Sequence, residues 1–296
     1  MGDHHVHLHP HGPYTGEGPP PGEYPPGHLE AYVETALARG ADEVGFTEHL
    51  YRCVESAEVL GAFWATEPRE DLARQAEAFV REDRTLSLER YVDAVVAAKD
   101  RGLPVLLGLE VDFFPETIEA VTAFLEPYPF DFLIGSVHWV GGWSIDHGDV
   151  AWEFERRGVR RAYEEYFALE RELAASGAVD VLAHVDVVKK QGHRLPEPPV
   201  DLYRPVVEAA AATGTAVEVS TAGLHQPAGE LYPHPTFLRM FREAGVEITL
   251  ASDAHRPEDA ARDRALAVAA AKEAGYHRRV TFEQRRRRFR PLEDEP

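Results

Sequence analysis

The sequence predicts an α/β protein built as a closed barrel of seven parallel strands, and three observations lead there. Seven short apolar runs alternate with stretches of helical periodicity, the signature of parallel strands joined by helical crossovers. Six of those seven runs end in a histidine or an acid, from Asp3-His4-His5-Val6-His7 at the start to Ser252-Asp253-Ala254-His255 near the end. An open doubly wound sheet would concentrate such groups at one crevice, whereas a barrel gathers the C-terminal ends of all its strands on one face. The length of 296 residues also suits a single α/β barrel domain. The expected organisation is one domain over residues 1–283 and a charged tail over 284–296.

The elements follow in order. The first strand carries His5 and His7. Residues 10–27, rich in proline and glycine, exclude regular helix or central strand and are expected as a rim loop over the site. Leu29, Tyr32, Val33, Ala36 and Leu37 keep helical spacing until Gly40. Val44–Thr47 reads as a short strand and 50–68 as irregular. Helices are expected over 69–83 and 88–101, and a buried strand over Val105–Leu109. A helix over 115–125 leads to a strand at Phe130–Ile134, then a loop at 141–150. The rest alternates: helix 155–176, strand Val179–Ala183, helix 201–213, strand Thr215–Val219, helix 235–244, strand Glu247–Ala251 and helix 258–274.

Composition excludes several classes of function. The net charge of −20 repels a polyanion such as DNA, and the basic run Arg285–Arg288 with Arg290 reads as solvated charge offsetting nearby acids. No run approaches the ~18 apolar residues of a membrane span. No basic segment followed by an apolar stretch opens the chain, so no cleaved leader is expected. A single cysteine, Cys53, excludes an internal disulfide framework and fits the reducing cytoplasm.

Imidazole and carboxylate at strand ends point to a metal site. His5 and His7, two apart on a strand, share a face and can chelate one ion; Asp3 lies on the same face and is expected to hold an imidazole from behind. His4 points the other way. Glu110 follows an apolar strand directly, and a buried carboxylate there needs a partner or a metal. Asp112, on the same face, is expected to support a ligand. His49, His138 and His184 each end a strand, while Asp253 and His255 repeat the two-residue spacing. Metals held this closely would acidify a bridging water and polarise a phosphoryl oxygen. The sequence has no Gly-x-Ser-x-Gly elbow, phosphate loop or dinucleotide fingerprint, so metal-activated hydrolysis is the default. Phosphate needs cationic partners. Lys190, Arg194 and Arg256, each following a strand-end ligand, are the candidate clamps.

Taken together, these residues resemble the polymerase and histidinol phosphatase (PHP) superfamily, and within it the histidinol-phosphatase branch. The matching signatures are Asp3-x-His5-x-His7, Thr47-Glu48-His49, Gly108-Leu109-Glu110, Ser136-Val137-His138, His184 and Ser252-Asp253-Ala254-His255. Phe130–His138, Asp186–Lys190 and Thr221–Leu224 suggest the branch, and the likeness spans nearly the whole chain. It implies a distorted seven-stranded barrel holding three divalent ions of zinc, iron or manganese. His5, His7, Glu110 and Asp253 would hold the first, and Glu110, His138 and His184 the second. The third would take His49, His255 and a histidine of the rim loop. The family spacing for that histidine falls on Pro13, so His11 is the first substitute, with His9 and Glu17 as alternatives.

The implied reaction is hydrolysis of L-histidinol phosphate to L-histidinol and phosphate. A hydroxide bridging two metals would attack phosphorus in line, and Asp253 or His255 would pass a proton to the leaving alkoxide. His225 stands where the branch usually has an arginine, and a neutral imidazole holds a dianion less well than guanidinium. The expected partner is a small phosphorylated molecule, with neither nucleic acid nor membrane. The rival readings are a PHP-type phosphoesterase acting on a nucleotide or other small ester, an amidohydrolase-type metal hydrolase, and a metal-binding protein without turnover.

Overall fold

The structure, a computed structural model, describes residues 2–11 and 18–292. Its strands are β1 (Asp3–Val6), β2 (Val44–Phe46), β3 (Val105–Leu107), β4 (Glu110–Asp112), β5 (Ile134–Ser136), β6 (Trp139–Val140), β7 (Trp143–Ser144), β8 (Val181–Leu182), β9 (Ala216–Ser220), β10 (Ile248–Ala251), β11 (Arg278–Glu283) and β12 (Arg286–Pro291). Between them run α1 (His28–Ala38), α2 (Ala57–Leu60), α3 (Glu70–Asp83), α4 (Leu88–Asp100), α5 (Ile118–Leu125), α6 (Glu153–Arg157), α7 (Val159–Ser176), α8 (Val200–Thr213), α9 (Pro235–Glu243) and α10 (Arg264–Glu273).

The parallel strands pair as β1-β2-β3 and as β10-β9-β8-β5-β4. Backbone bonds join these two arcs into a ring. At one seam His7 N donates to Ala254 O at 2.7 Å, beside a parallel bridge between Val6 and Ala254. At the other, β3 and β4 are one kinked strand. Gly108 N donates to Phe46 O at 2.8 Å and Glu110 N to Glu48 O at 3.0 Å, so the kinked strand stays against the extension of β2. Counting β3 and β4 once gives the seven-stranded distorted barrel, with helices on its outside.

Phe132 fills the bore below the site. A Cβ on Gly45 or on Gly108 would sit 2.7 Å from the Phe132 ring tip, so only glycine leaves room there. Phe132, Ile134, Val181, Ala183 and Ala216 form a buried cluster closed off by Val280 and Phe282 of β11, with Phe132 and Phe282 stacked at 5.6 Å.

Several boundaries differ from the sequence reading. The strand expected at Phe130–Ile134 is found at Ile134–Ser136, because the Asp131 carboxylate accepts Leu107 N at 2.9 Å and turns the chain before the ladder begins. The helix expected over 155–176 breaks at Gly158, whose φ is 87°. The last helix starts at Arg264, after a short 3₁₀ turn at Pro257–Asp259. The loop at 141–150 contains part of the β6–β7 hairpin. The stretch expected as a tail from residue 284 is a correction of the same kind. Arg286–Pro291 pairs antiparallel with β11, and the connecting turn is held by Arg285 N donating to Asp131 O at 2.8 Å. Its arginines are exposed, as expected, but on a strand. Among the described residues no helix is long and apolar enough to cross a membrane.

Candidate metal centre

The strand ends converge on one buried carboxylate. Glu110 of β4 is fully buried, and its two oxygens lie within hydrogen-bond range of five imidazoles. The separations are 3.3 Å to His5 Nε2, 3.4 Å to His7 Nε2, 2.7 Å to His49 Nδ1, 3.4 Å to His138 Nε2 and 3.1 Å to His184 Nε2. Asp253, just past β10, brings Oδ1 within 3.4 Å of His5 Nε2 and 3.3 Å of His7 Nε2. Its φ of 54° is left-handed, a conformation that aspartate tolerates and that sites recruit for aim. The rings of His49 and His255 each lie against that of His7, at 4.3 and 4.4 Å, and His11 meets the His49 and His255 rings at 4.8 Å.

Four sets of side chains each present one nitrogen or oxygen apiece within 4.8 Å of one another: His7-His11-His49-His255, His5-His7-Glu110, His5-His184-Asp253 and His49-Glu110-His138. All nine residues expected as metal ligands are therefore in one cluster. Of the substitutes for the loop histidine, His11 belongs to it. His9 turns away, with Nε2 bonded to Glu23 O at 3.0 Å and Tyr24 against its ring. Glu17 lies outside the described residues, as does Pro13.

This packing fits divalent cations. Lone pairs of imidazole and carboxylate at such separations repel unless a proton or a cation lies between them. Protons can sit on His5, His7 and His138, where burial is outweighed by the nearby acids, but not throughout the cluster. Burial drives His49 and His255 well below the usual histidine range, towards neutrality. His49 Nδ1, 2.7 Å from Glu110 Oε2, makes no aligned hydrogen bond, and His184 Nδ1 is buried without one. Glu110 itself is the reverse case. Burial would raise its carboxyl, but the surrounding His49, His5 and His138 outweigh that and hold it well below its ordinary value. A buried, ionised, oxygen- and nitrogen-rich cluster of this kind is the donor set that zinc, iron or manganese takes.

Carboxylates stand behind several of the imidazoles, as metal-ligating histidines require. Asp112 Oδ1 is 2.9 Å from His138 Nδ1, in the supporting place expected of it. Asp3 is elsewhere. Its oxygens accept Ser252 N at 2.8 Å, Ser252 Oγ at 2.6 Å and Ala261 N at 2.6 Å, so it closes the β10–β1 seam and touches no imidazole of the cluster. The backbone N–H groups of that sharp turn need an acceptor, and Asp3 is the one in reach. The residue behind His5 is Glu218 of β9, 3.0 Å from His5 Nδ1, which also accepts His184 N at 2.7 Å. Sequence reasoning missed it. The available signal was one acid inside the otherwise apolar run Ala216-Val217-Glu218-Val219.

A cleft opens over the cluster. One wall is aromatic, with Tyr51, Phe79 and Trp139; the other carries Asp146, Lys190, Gln226 and Tyr232. Lys190 Nζ bonds Asp146 Oδ2 at 2.8 Å and faces the cleft. His225 and Arg256 line an outer lobe, joined there by Arg262. His225 Nε2 is held by Asp263 Oδ2 at 2.6 Å, and Arg256 by Asp259 at 2.9 Å. Arg194 corrects the expectation. It does not line the cleft but turns to Glu230 and the Ala228 carbonyl, because the loop after the Val187–Lys189 turn carries it outward.

A metal-loaded hydrolase centre on an α/β barrel is the class that this fold and donor set define. The chain belongs to the PHP domain family, whose model matches residues 7–222. It is 32% identical over 255 residues to a probable histidinol-phosphatase of Deinococcus radiodurans, covering 86% of this chain and 90% of that protein. A histidinol-phosphatase of Bacillus subtilis is 27% identical over 255 residues, covering 78% and 88%. The crystal structure of histidinol phosphate phosphatase from Lactococcus lactis, complexed with zinc, L-histidinol and phosphate, superposes with a TM-score of 0.69 at 21% identity over 97% of this chain and 98% of that one. At that identity the likeness speaks for the fold.

Proposed function

We propose that this protein is a cytoplasmic histidinol-phosphatase that hydrolyses L-histidinol phosphate to L-histidinol and phosphate on three divalent ions. The observation that carries the reading is Glu110, fully buried, with imidazole nitrogens of five histidines 2.7–3.4 Å from its oxygens. The related histidinol-phosphatases support the substrate. His5, His7, Glu110 and Asp253 would hold one ion, Glu110, His138 and His184 a second, and His49, His255 and His11 a third. When bound, such ions supply an acidified water and polarise the phosphoryl oxygens.

The chain's own groups do the rest. Lys190, facing the cleft from its bond to Asp146, orients the phosphoryl group, and Arg256 neutralises charge at the outer rim. Tyr51, Phe79 and Trp139 offer the leaving group an aromatic wall that excludes water. Asp253 lines the cleft as well as the cluster, which suits it, with the adjacent His255, to pass a proton to the departing alkoxide.

The His225–Asp263 pair favours a second reading, another small phosphate ester, since it sets a carboxylate beside the imidazole expected to contact phosphate. Phosphate release from L-histidinol phosphate, measured beside nucleotide and sugar phosphates, decides between them. A strong preference for histidinol phosphate supports the first reading; turnover confined to another ester removes it.

A further inference from the structure

Beneath the rim loop lies a buried ionic network that the proposed chemistry does not use. Arg52, 1% exposed, is its centre. Its Nη1 donates to Glu48 Oε2 at 3.2 Å and to His9 O at 3.4 Å, and its Nε lies 3.3 Å from Asp83 Oδ2. Asp83 ends α3 and accepts the Tyr51 hydroxyl at 2.7 Å. The same carboxylate oxygen is 3.3 Å from His11 Nδ1. Glu48, fully buried, accepts Leu8 N at 2.8 Å and faces His9 Nδ1 at 3.5 Å. Every partner of this network is on the loop after β1, on the turn after β2 or at the end of α3.

A buried guanidinium between two carboxylates is costly to build and is a poor source of stability by itself. Its contacts here are to the loop that carries His11. Elsewhere in the cluster the same arrangement recurs: Glu218 stands behind His5 and Asp112 behind His138, each at the ring nitrogen that faces away from Glu110. Asp83 stands beside His11 Nδ1 at the longer distance of 3.3 Å, an ion-pair contact where the other two are hydrogen bonds.

We infer that Asp83, held by Arg52 and Tyr51, is the positioning residue that fixes His11 for the third ion, letting this chain complete that position from a loop site two residues before Pro13. The inference rests on the three-ion reading above. Asp83 faces the ring at Nδ1, 3.3 Å away, and sets its orientation by charge; Arg52 fixes the carboxylate and, through His9 O and Glu48, the path of the loop.

The test is bound zinc per chain at a buffered free-zinc concentration, for the wild type, His11→Ala, Asp83→Asn and Asp83→Glu, with the melting of each metal-free protein followed alongside. Three ions in the wild type and two in His11→Ala, with one ion weakened about tenfold or more in Asp83→Asn, support the inference. Asp83→Glu keeps the charge beside Arg52 but moves it relative to His11, so it too weakens one ion, while the metal-free protein melts as the wild type does. Should Asp83→Asn fold poorly, the Glu variant decides alone. Three ions bound at wild-type affinity in the Asp83 variants, with two in His11→Ala, overturn the role of Asp83 and leave the three-ion reading standing. Three ions in both the wild type and His11→Ala remove His11, and Asp83 with it, but leave three ions standing; two in both remove the three-ion reading as well.

Discussion

His138 shows how one side chain serves the centre. Its Nε2 lies 3.4 Å from Glu110 Oε1 and its Nδ1 2.9 Å from Asp112 Oδ1, so one nitrogen faces the cluster while the other orients the ring. His138→Ala is expected to lose at least a hundredfold in turnover and about one bound ion, with unchanged metal-free circular dichroism; wild-type activity in that variant would remove it from the centre. A second residue-scale expectation concerns Glu43, at the end of the barrel away from the site. Burial would raise its carboxyl, but His4 and Arg279, each within 2.9 Å, hold it below the usual carboxylate range. Because the folded value is the lower one, this stabilisation is complete above the unfolded pKa of about 4.3 and drains away as pH falls through the folded value. Metal-free Glu43→Gln should therefore lose less stability than the wild type between pH 5 and pH 3 in urea melts. Parallel curves would contradict this. At this scale the sequence was informative where a polar side chain ended an apolar run, as at Glu110 and His184. It was silent on Glu218 and Asp83, whose partners lie 213 and 72 residues away, because only the closed ring brings them together.

At the scale of elements, alternation of apolar runs and helical spacing was enough to read the seven strands and their common end. Register was less legible. The segment Phe130–Ile134 looks like strand because it is apolar, yet Phe132 is spent filling the bore and Asp131 on capping backbone groups, so the ladder starts later. The β11–β12 hairpin was hidden by its arginines, which made a paired strand look like a solvated end. Strand β11 buries Arg279, Val280, Thr281 and Phe282, and of these Val280 and Phe282 pack in the apolar cluster of the barrel interior. Phe282→Ala should cost about 3–5 kcal/mol in unfolding free energy by urea titration, the usual range for a buried phenylalanine. A loss below about 1 kcal/mol would mean that the hairpin is not part of the core.

The whole molecule reads as a ring of strands whose shared end assembles imidazoles around one carboxylate, flanked by α3 and the β6–β7 hairpin. Its charge of −20 opposes an anionic substrate, and Lys190, Arg256 and Arg262 around the cleft are each already paired with an acid, so the attraction for phosphate falls to bound cations. The arrangement has consequences only if cations complete it. The most direct measurement is phosphate release from L-histidinol phosphate by chelator-stripped protein, titrated with zinc or manganese. The account predicts no turnover in the stripped protein and activity that rises to a plateau at about three equivalents of metal. Full activity in the stripped protein, or no phosphate release at any metal loading, would contradict it.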